Sequence, residues 1–119
     1  MLKGLGCDII QVSRMERALK RESFAQRVFT PAERATIAQR GAATAAGFWA
    51  AKEAVSKAMG TGFSGFTLQD VEILTDGEGA PHAYLHRGAQ ARLARLGALS
   101  VWVSISHERD SAIAVAAVE

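Results

Sequence analysis

The strongest constraint on the fold is one alanine-rich segment in the middle of the chain. Residues 42–59 read Ala-Ala-Thr-Ala-Ala-Gly-Phe-Trp-Ala-Ala-Lys-Glu-Ala-Val-Ser-Lys-Ala-Met and are followed by Gly60. Alanine is the best helix former and glycine commonly ends helices, so the segment predicts a helix of about 27 Å. The small alanine side chains along one face of this helix allow another element to pack closely against it. We therefore expect this helix to lie at the centre of the fold.

Start signals for helices also precede this segment. Ser13 with Glu16 forms one capping-box pattern, and Thr30 with Glu33 forms a second one, strengthened by Pro31 at the first helical position. The expected elements are a strand over 2–12, a helix over about 14–21 and a helix over about 31–40.

The second half of the chain alternates turn-forming residues with strand patterns. The expected elements are a strand over 68–74, a turn over 76–81, a strand over 82–85, a helix over 87–96 ended by Gly97, and strands over 99–107 and 112–118. Helices first and hairpin strands later predict an α+β fold, with helices packed on a largely antiparallel sheet. We expect residues 1–119 to form a single domain.

Composition narrows the class of protein. The chain is 49% hydrophobic and 22% charged, values typical of a globular protein rather than a disordered one. The one cysteine, Cys7, excludes an internal disulfide framework and favours a reducing compartment. No apolar run reaches the roughly 20 residues of a membrane-spanning helix. We expect a soluble cytoplasmic protein that binds no membrane.

Positive charge is concentrated at the N-terminal end. Residues 1–41 hold eight Lys or Arg against four acids, a balance of +4, and residues 42–119 hold six against eight, a balance of −2. The basic ridge consists of Arg14, Arg17 and Arg21, extended by Arg27, with Met15 or Leu19 as an exposed apolar anchor. This pattern predicts an acidic partner, although a solvated surface would produce it too. The balance is too small for nucleic-acid binding.

Two acids and a lysine are candidates for chemistry. Asp8 interrupts an apolar strand, where a carboxylate needs a cation or hydrogen-bond donors, and a salt bridge or a turn cap would satisfy that need equally. Glu53 and Lys57 have the spacing of an ordinary surface pair. They also continue the Ala46–Ala50 face of the central helix, as expected in a phosphate and metal site. The Gly60-Thr61-Gly62 loop that follows has backbone donors for an anion.

His107 closes a strand in the segment Ser104-Ile105-Ser106-His107. It shares strand parity with Val103 and Ile105, so it is either a structural histidine or a site residue. Ser106 is no nucleophile for it, because neighbouring residues in a strand point to opposite faces.

Together these segments resemble one family. Gly6-Cys7-Asp8-Ile9, Thr30-Pro31-Ala32-Glu33, Trp49 to Gly62 and Ser104 to His107 are similar, in order and over nearly the whole chain, to the bacterial holo-acyl-carrier-protein synthases, which are short 4′-phosphopantetheinyl transferases. The most specific block is Trp-Ala-Ala-Lys-Glu-Ala with its Gly-Thr-Gly tail.

The resemblance implies transfer of the 4′-phosphopantetheine arm of coenzyme A to a serine of apo-acyl carrier protein, in support of fatty acid biosynthesis. By motif, Asp8 and Glu53 would bind Mg²⁺, which typically takes one or two carboxylates. Lys57 and His107 would contact phosphates, and Gly60, Thr61 and Gly62 would contact coenzyme A. Proton removal would fall to Glu53 or to a metal-bound water. The arginine ridge Arg14, Arg17, Arg21 and Arg27 would receive the carrier protein.

The resemblance also implies a homotrimer that binds coenzyme A between neighbouring chains. Two departures affect the phosphate contacts. Phe48 stands where relatives often have arginine, and residues 63–66 lack the basic residues of other members. Lys52, Arg87 or Arg92 would then compensate.

Two other functions fit the same residues. A metal-dependent phosphohydrolase would use Asp8 and Glu53 with water in place of serine. A non-catalytic module that binds carrier protein would need only the arginine ridge.

Overall fold

The computed structural model describes residues 1–119, which form five helices and five strands. The strands are β1 (Gly4–Gln11), β2 (Val71–Thr75), β3 (Pro81–Leu85), β4 (Val101–His107) and β5 (Ser111–Val118). The helices are α1 (Val12–Leu19), α2 (Glu22–Val28), α3 (Pro31–Arg40), α4 (Ala42–Ala58) and α5 (Arg87–Arg95), with a 3₁₀ turn over Leu68–Asp70.

Two antiparallel sheets make up the β structure, so the predicted α+β class is confirmed. The first sheet has the order β1-β5-β4, and the second is the β2-β3 hairpin. In the first sheet Asp8 lies opposite Ala114, which lies opposite Ile105 on β4. Asp8 is therefore two strands away from the edge strand that carries His107.

Helix α4 lies across one face of the three-stranded sheet. Its first half packs on β4, where a Cβ added to Gly47 would lie 2.8 Å from Ile105 Cγ2. Its second half packs on β1 so closely that a Cβ on Gly6 would lie 2.1 Å from the Ala54 carbonyl oxygen. Only glycine permits this approach, which brings the last turns of α4 beside the strand that carries Asp8.

The opposite face of that sheet is apolar and exposed. Leu5 is 63% exposed and Ile9 is 65% exposed, although both lie on a regular strand. The other large apolar side chains of this face are Trp102, Ile113 and Val115. Monomeric proteins rarely expose apolar surface in such a contiguous patch.

The start of α3 confirms the predicted capping box. Thr30 Oγ1 accepts a hydrogen bond from the Glu33 amide at 3.2 Å, and Glu33 Oε1 accepts one from the Thr30 amide at 2.8 Å. The box predicted at Ser13 is wrong. Helix α1 begins at Val12 with no side-chain cap, and the Val12 amide donates to the Asp110 carbonyl at 2.9 Å. A tertiary contact therefore fixes the start of this helix.

Two further differences from the sequence-based expectations concern short segments. Helix α2 was not predicted at all. Leu68–Asp70, expected to open a strand, forms a 3₁₀ turn held by the Asp70 carboxylate, which accepts hydrogen bonds from the Thr67 amide at 3.1 Å and from Arg87 Nε at 2.7 Å.

A buried ion pair joins α4 to α3. Lys52 Nζ lies 2.9 Å from Glu33 Oε2, and both side chains have no exposed surface. The ammonium also donates to the carbonyls of Leu68 and Val71. Burial lowers the pKa of Lys52, and Glu33 opposes this shift. These contacts fix helix α4 in place.

None of the helices combines the length and apolarity needed to cross a bilayer.

Candidate active site

Asp8 and Lys57 meet where β1 packs on the end of α4. Asp8 points to the helix side of the sheet, and its Oδ1 lies 3.0 Å from Lys57 Nζ. The same ammonium donates to the Cys7 carbonyl at 2.9 Å. Lys57 on α4 therefore pairs with Asp8 on β1. A surface pair within the helix would instead join Lys57 to Glu53, and no hydrogen bond does so. Lys57 is therefore the cation that compensates the charge of Asp8, which the apolar strand around Asp8 led us to expect.

Glu53 lies one turn before Lys57 and faces the same region. Burial raises the pKa of Glu53, the nearby Asp8 carboxylate raises it further, and Lys57 partly offsets both effects. The hydrogen bond and the charge of Asp8 raise the pKa of Lys57. Two carboxylates are thus brought together with one ammonium, which leaves negative charge for a further cation to neutralise.

The donor set fits magnesium better than a transition metal. No cluster of three or more His, Cys, Asp and Glu side chains has metal-binding geometry, so a site with only protein ligands is not built. Asp8 and Glu53 supply two carboxylates, and Mg²⁺ completes its octahedron with water and substrate phosphate oxygens.

The loop after α4 starts one turn beyond Lys57. The helix ends at Ala58, and Gly60 and Gly62 both have left-handed backbone, with φ of 79° and 58°. Thr61 Oγ1 donates to the Gly62 carbonyl at 3.1 Å. The predicted end of the helix at Gly60 is confirmed, and the glycine loop begins three residues after Lys57.

An arginine groove lies beside the part of α4 that precedes Glu53. This cavity of about 460 Å³ is lined by three arginines and five apolar side chains: Arg14, Arg17 and Arg21, with Ile10, Met15, Ala18, Phe24 and Trp49. Arg27 does not line it. Trp49 lies one turn before Glu53 on α4, so the groove adjoins the carboxylates.

The apolar part of the groove differs from the expected anchor. Met15 is only 1% exposed and Leu19 is half-buried, so the expectation of an exposed Met15 is wrong. Phe24 and Trp49, whose rings lie 5.9 Å apart, contribute aromatic surface instead. Sequence reasoning missed both, although the spacing of four residues between Trp49 and Glu53 is a signal that they share a helix face.

His107 is not brought to the carboxylates within one chain. It is exposed at the end of β4 and pairs with Ala112, which pairs with Ile10 on β1. Two strand spacings alone separate β4 from β1 by about 10 Å. His107 lines a different cavity of about 160 Å³, beside the first half of α4, together with Arg40 and Thr44.

The cations expected to compensate for Phe48 are engaged elsewhere. Phe48 is only 3% exposed, so this position makes no phosphate contact. Lys52 is enclosed in its ion pair with Glu33, Arg87 pairs with Asp70, and Arg92 donates to the Met59 carbonyl. A cation that sequence reasoning missed is Arg40, which is exposed in the cavity of His107.

Comparison with known proteins points to one family. The family model for the 4′-phosphopantetheinyl transferase superfamily matches residues 4–116. A holo-[acyl-carrier-protein] synthase of Solidesulfovibrio magneticus is 48% identical, over 100% of this chain and 99% of the relative. The crystal structure of the synthase from Neisseria meningitidis has a TM-score of 0.90 at 32% identity and covers 100% of this chain and 99% of that chain. That of the Helicobacter pylori synthase in complex with coenzyme A has a TM-score of 0.86 at 31% identity, covering 97% and 99%.

Proposed function

The chain belongs to the 4′-phosphopantetheinyl transferase superfamily, and we propose that Asp8, Glu53 and Lys57 form the centre at which it transfers phosphopantetheine. The reaction moves the 4′-phosphopantetheine group of coenzyme A to a serine hydroxyl of apo-acyl carrier protein. Its products are holo-acyl carrier protein and adenosine 3′,5′-bisphosphate, and it supports fatty acid biosynthesis. The full-length similarity to holo-acyl-carrier-protein synthases supports this activity.

The observation that carries the site assignment is the position of the carboxylates between two binding surfaces. Along α4, Trp49 of the arginine groove lies one turn before Glu53, and the glycine loop begins one turn after Lys57. A donor that contacts the loop and a carrier that occupies the groove would therefore meet at these three residues. A phosphoryl transfer needs this arrangement, because its catalysis is mainly positioning and charge neutralisation.

The two carboxylates, the lysine and the loop have different tasks in the transfer. Asp8 and Glu53 would hold Mg²⁺, which would supply neutralisation of the negative charge on the pyrophosphate of coenzyme A. Lys57, already an ammonium at the pair, holds a phosphate oxygen beside it. The serine oxygen gives up its proton to Glu53 or to a water molecule and forms a bond to the β-phosphorus, while the bond from that phosphorus to the oxygen of the leaving nucleotide breaks. The backbone amides of Gly60, Thr61 and Gly62 contact the donor.

The arginine groove receives the carrier protein. Arg14, Arg17 and Arg21 provide positive charge at its rim, and Phe24 and Trp49 provide apolar surface below. An amphipathic helix with acidic residues around an apolar residue matches this arrangement. Such a partner would bring its serine toward Glu53, because Trp49 belongs to both the groove and the helix face of Glu53.

The working unit is a homotrimer in which His107 completes the site of a neighbouring chain. The exposed apolar face of the β1-β5-β4 sheet supports an assembly, since burying Leu5, Ile9 and Val115 would remove this patch from water. The distance of His107 from Asp8 within one chain supports a shared site. His107 and Arg40 of one chain then contact the nucleotide end of coenzyme A held by the next. Two further statements stay predictions: residues 1–119 form a single domain, and the protein is cytoplasmic.

Intact mass spectrometry tests the activity directly. Apo-acyl carrier protein incubated with the chain, Mg²⁺ and coenzyme A should gain about 340 Da, the mass of the phosphopantetheine group. Asp8→Ala and Glu53→Ala should lower the rate by orders of magnitude with unchanged circular dichroism. Glu78→Ala, an exposed acid of the β2-β3 turn, serves as the control. Normal rates in both site variants would contradict the metal assignment.

The same assay separates the alternatives. A phosphohydrolase would cleave coenzyme A with Mg²⁺ in the absence of carrier protein. A non-catalytic module would bind apo-carrier without changing its mass, and Asp8→Ala would leave that binding intact.

A further inference from the structure

Helix α5 is attached to the segment that ends α4. Arg92 donates two hydrogen bonds to the Met59 carbonyl, from Nε at 3.1 Å and from Nη2 at 2.9 Å. Met59 is the C-cap residue of α4 and is fully buried. The last carbonyls of a helix lack partners within the helix and carry partial negative charge, so a guanidinium satisfies both their hydrogen bonding and their charge.

Two more contacts hold the start of α5 against the same segment. A Cβ on Gly88 would lie 2.0 Å from the Gly65 carbonyl oxygen, so the two backbones are in direct contact. Beside it, Arg87 has φ of 47° and an ion pair of 2.7 Å with Asp70, which is only 5% exposed. A left-handed backbone at a non-glycine residue persists only where neighbouring contacts hold it. Helix α5 is therefore anchored at both ends of the 60–65 loop.

The loop itself has few internal restraints. Three of its residues, Gly60, Gly62 and Gly65, have positive φ, and its one internal backbone hydrogen bond, from the Ser64 amide to the Thr61 carbonyl, is long at 3.4 Å. Glycine adds conformational freedom to an unrestrained loop. The position of the loop thus depends on contacts from outside. The Gly60 amide donates to the Lys57 carbonyl at 3.0 Å, and the nearest side chain to Gly60 is that of Arg92, whose Nη2 would lie 3.7 Å from a Cβ on this residue.

We propose that Arg92 is a positioning residue that sets the affinity for coenzyme A by fixing the Gly60–Gly62 loop through the Met59 carbonyl. The guanidinium is occupied at Met59 and does not itself contact the donor. It acts by keeping the loop amides in one arrangement, so that donor binding does not have to order them. This inference rests on the proposed contact between that loop and coenzyme A.

Steady-state kinetics with a matched pair of variants tests the proposal. Arg92→Gln should raise KM for coenzyme A about tenfold, the effect of losing a charge-assisted hydrogen bond. It should leave kcat and KM for apo-carrier within about twofold. Arg92→Lys, which keeps one charged donor, should lie between. Arg95→Gln makes the same charge change on an exposed residue of α5 and should match wild type.

Amide hydrogen exchange of the chain alone gives an independent readout. Arg92→Gln should accelerate exchange over residues 60–65 relative to Arg95→Gln, and saturating coenzyme A should restore protection. Equal KM values for these two variants, in a chain whose wild type transfers, would overturn the positioning role. A wild-type chain that does not transfer would instead overturn the proposed function. In that case, equal hydrogen exchange over residues 60–65 in the two variants would overturn the positioning role as well.

Discussion

At the scale of single residues, the position of each arginine decides its expected effect. Arg14 lines the groove and Arg27 does not, although both belong to the same basic segment. Arg14→Glu should raise KM for apo-carrier at least several-fold, and more at low salt, where opposite charges are screened less. Arg27→Glu should have a much smaller effect. Carrier titrations at two ionic strengths measure this, and equal effects of the two variants would contradict a groove-specific contact.

The two lysines of α4 show how far single-residue reasoning reached. The need of Asp8 for a cation was predictable from its apolar strand, but the cation was not, because Lys57 has the spacing of a partner for Glu53. Lys52 was expected to be available for phosphate and is instead fully buried against Glu33. Both outcomes depend on contacts distant in sequence, which spacing along one helix does not reveal.

At the scale of secondary structure, elements with their own start and stop signals were predicted well. Helix α3 has its capping box and α4 its alanines and terminal glycine, so local chemistry sets their bounds. Helix α2 has no side-chain cap. Helix α1 starts where its first amide, that of Val12, donates to the carbonyl of the loop residue Asp110. Elements of this second kind form because the surrounding fold satisfies their backbone groups, and they were missed or misplaced for that reason.

The contact between β1 and α4 can be tested by adding one methyl group. Gly6→Ala would place a Cβ 2.1 Å from the Ala54 carbonyl oxygen, and both atoms belong to rigid elements. We expect a loss of about 2–3 kcal/mol of unfolding free energy, the usual effect of overpacking, and lower transfer because Asp8 follows two residues later. Gly77→Ala, which meets no atom within 4 Å, should change stability by no more than about 0.5 kcal/mol. Urea denaturation measures both stabilities, and equal unfolding free energies of the two variants would contradict the close packing of β1 on α4.

At the scale of the whole molecule, the proposed site is divided between the two ends of α4. Asp8, Glu53 and Lys57 lie at its C-terminal half, and His107 and Arg40 lie beside its N-terminal half. The exposed apolar sheet face offers a surface for assembly. The proposed homotrimer requires the N-terminal half of α4 in one chain to lie near the C-terminal half of α4 in the next. Sequence alone predicts Asp8, Glu53, Lys57 and His107, but neither Arg40 nor the separation of the two groups within one chain.

Mixing two inactive variants tests this division. If the site is shared, Asp8→Ala and His107→Ala chains, unfolded and refolded together in equal amounts, should form mixed trimers in which about one quarter of the sites combine an intact Asp8 with an intact His107. Transfer activity should recover toward that fraction of the wild-type rate. An equal mixture of Asp8→Ala and Glu53→Ala should stay inactive, because those two residues come from the same chain at every site. No recovery in the first mixture would mean that each chain holds a complete site. Equal recovery in both mixtures would mean that Asp8 and Glu53 do not come from the same chain, which would contradict the proposed division as well.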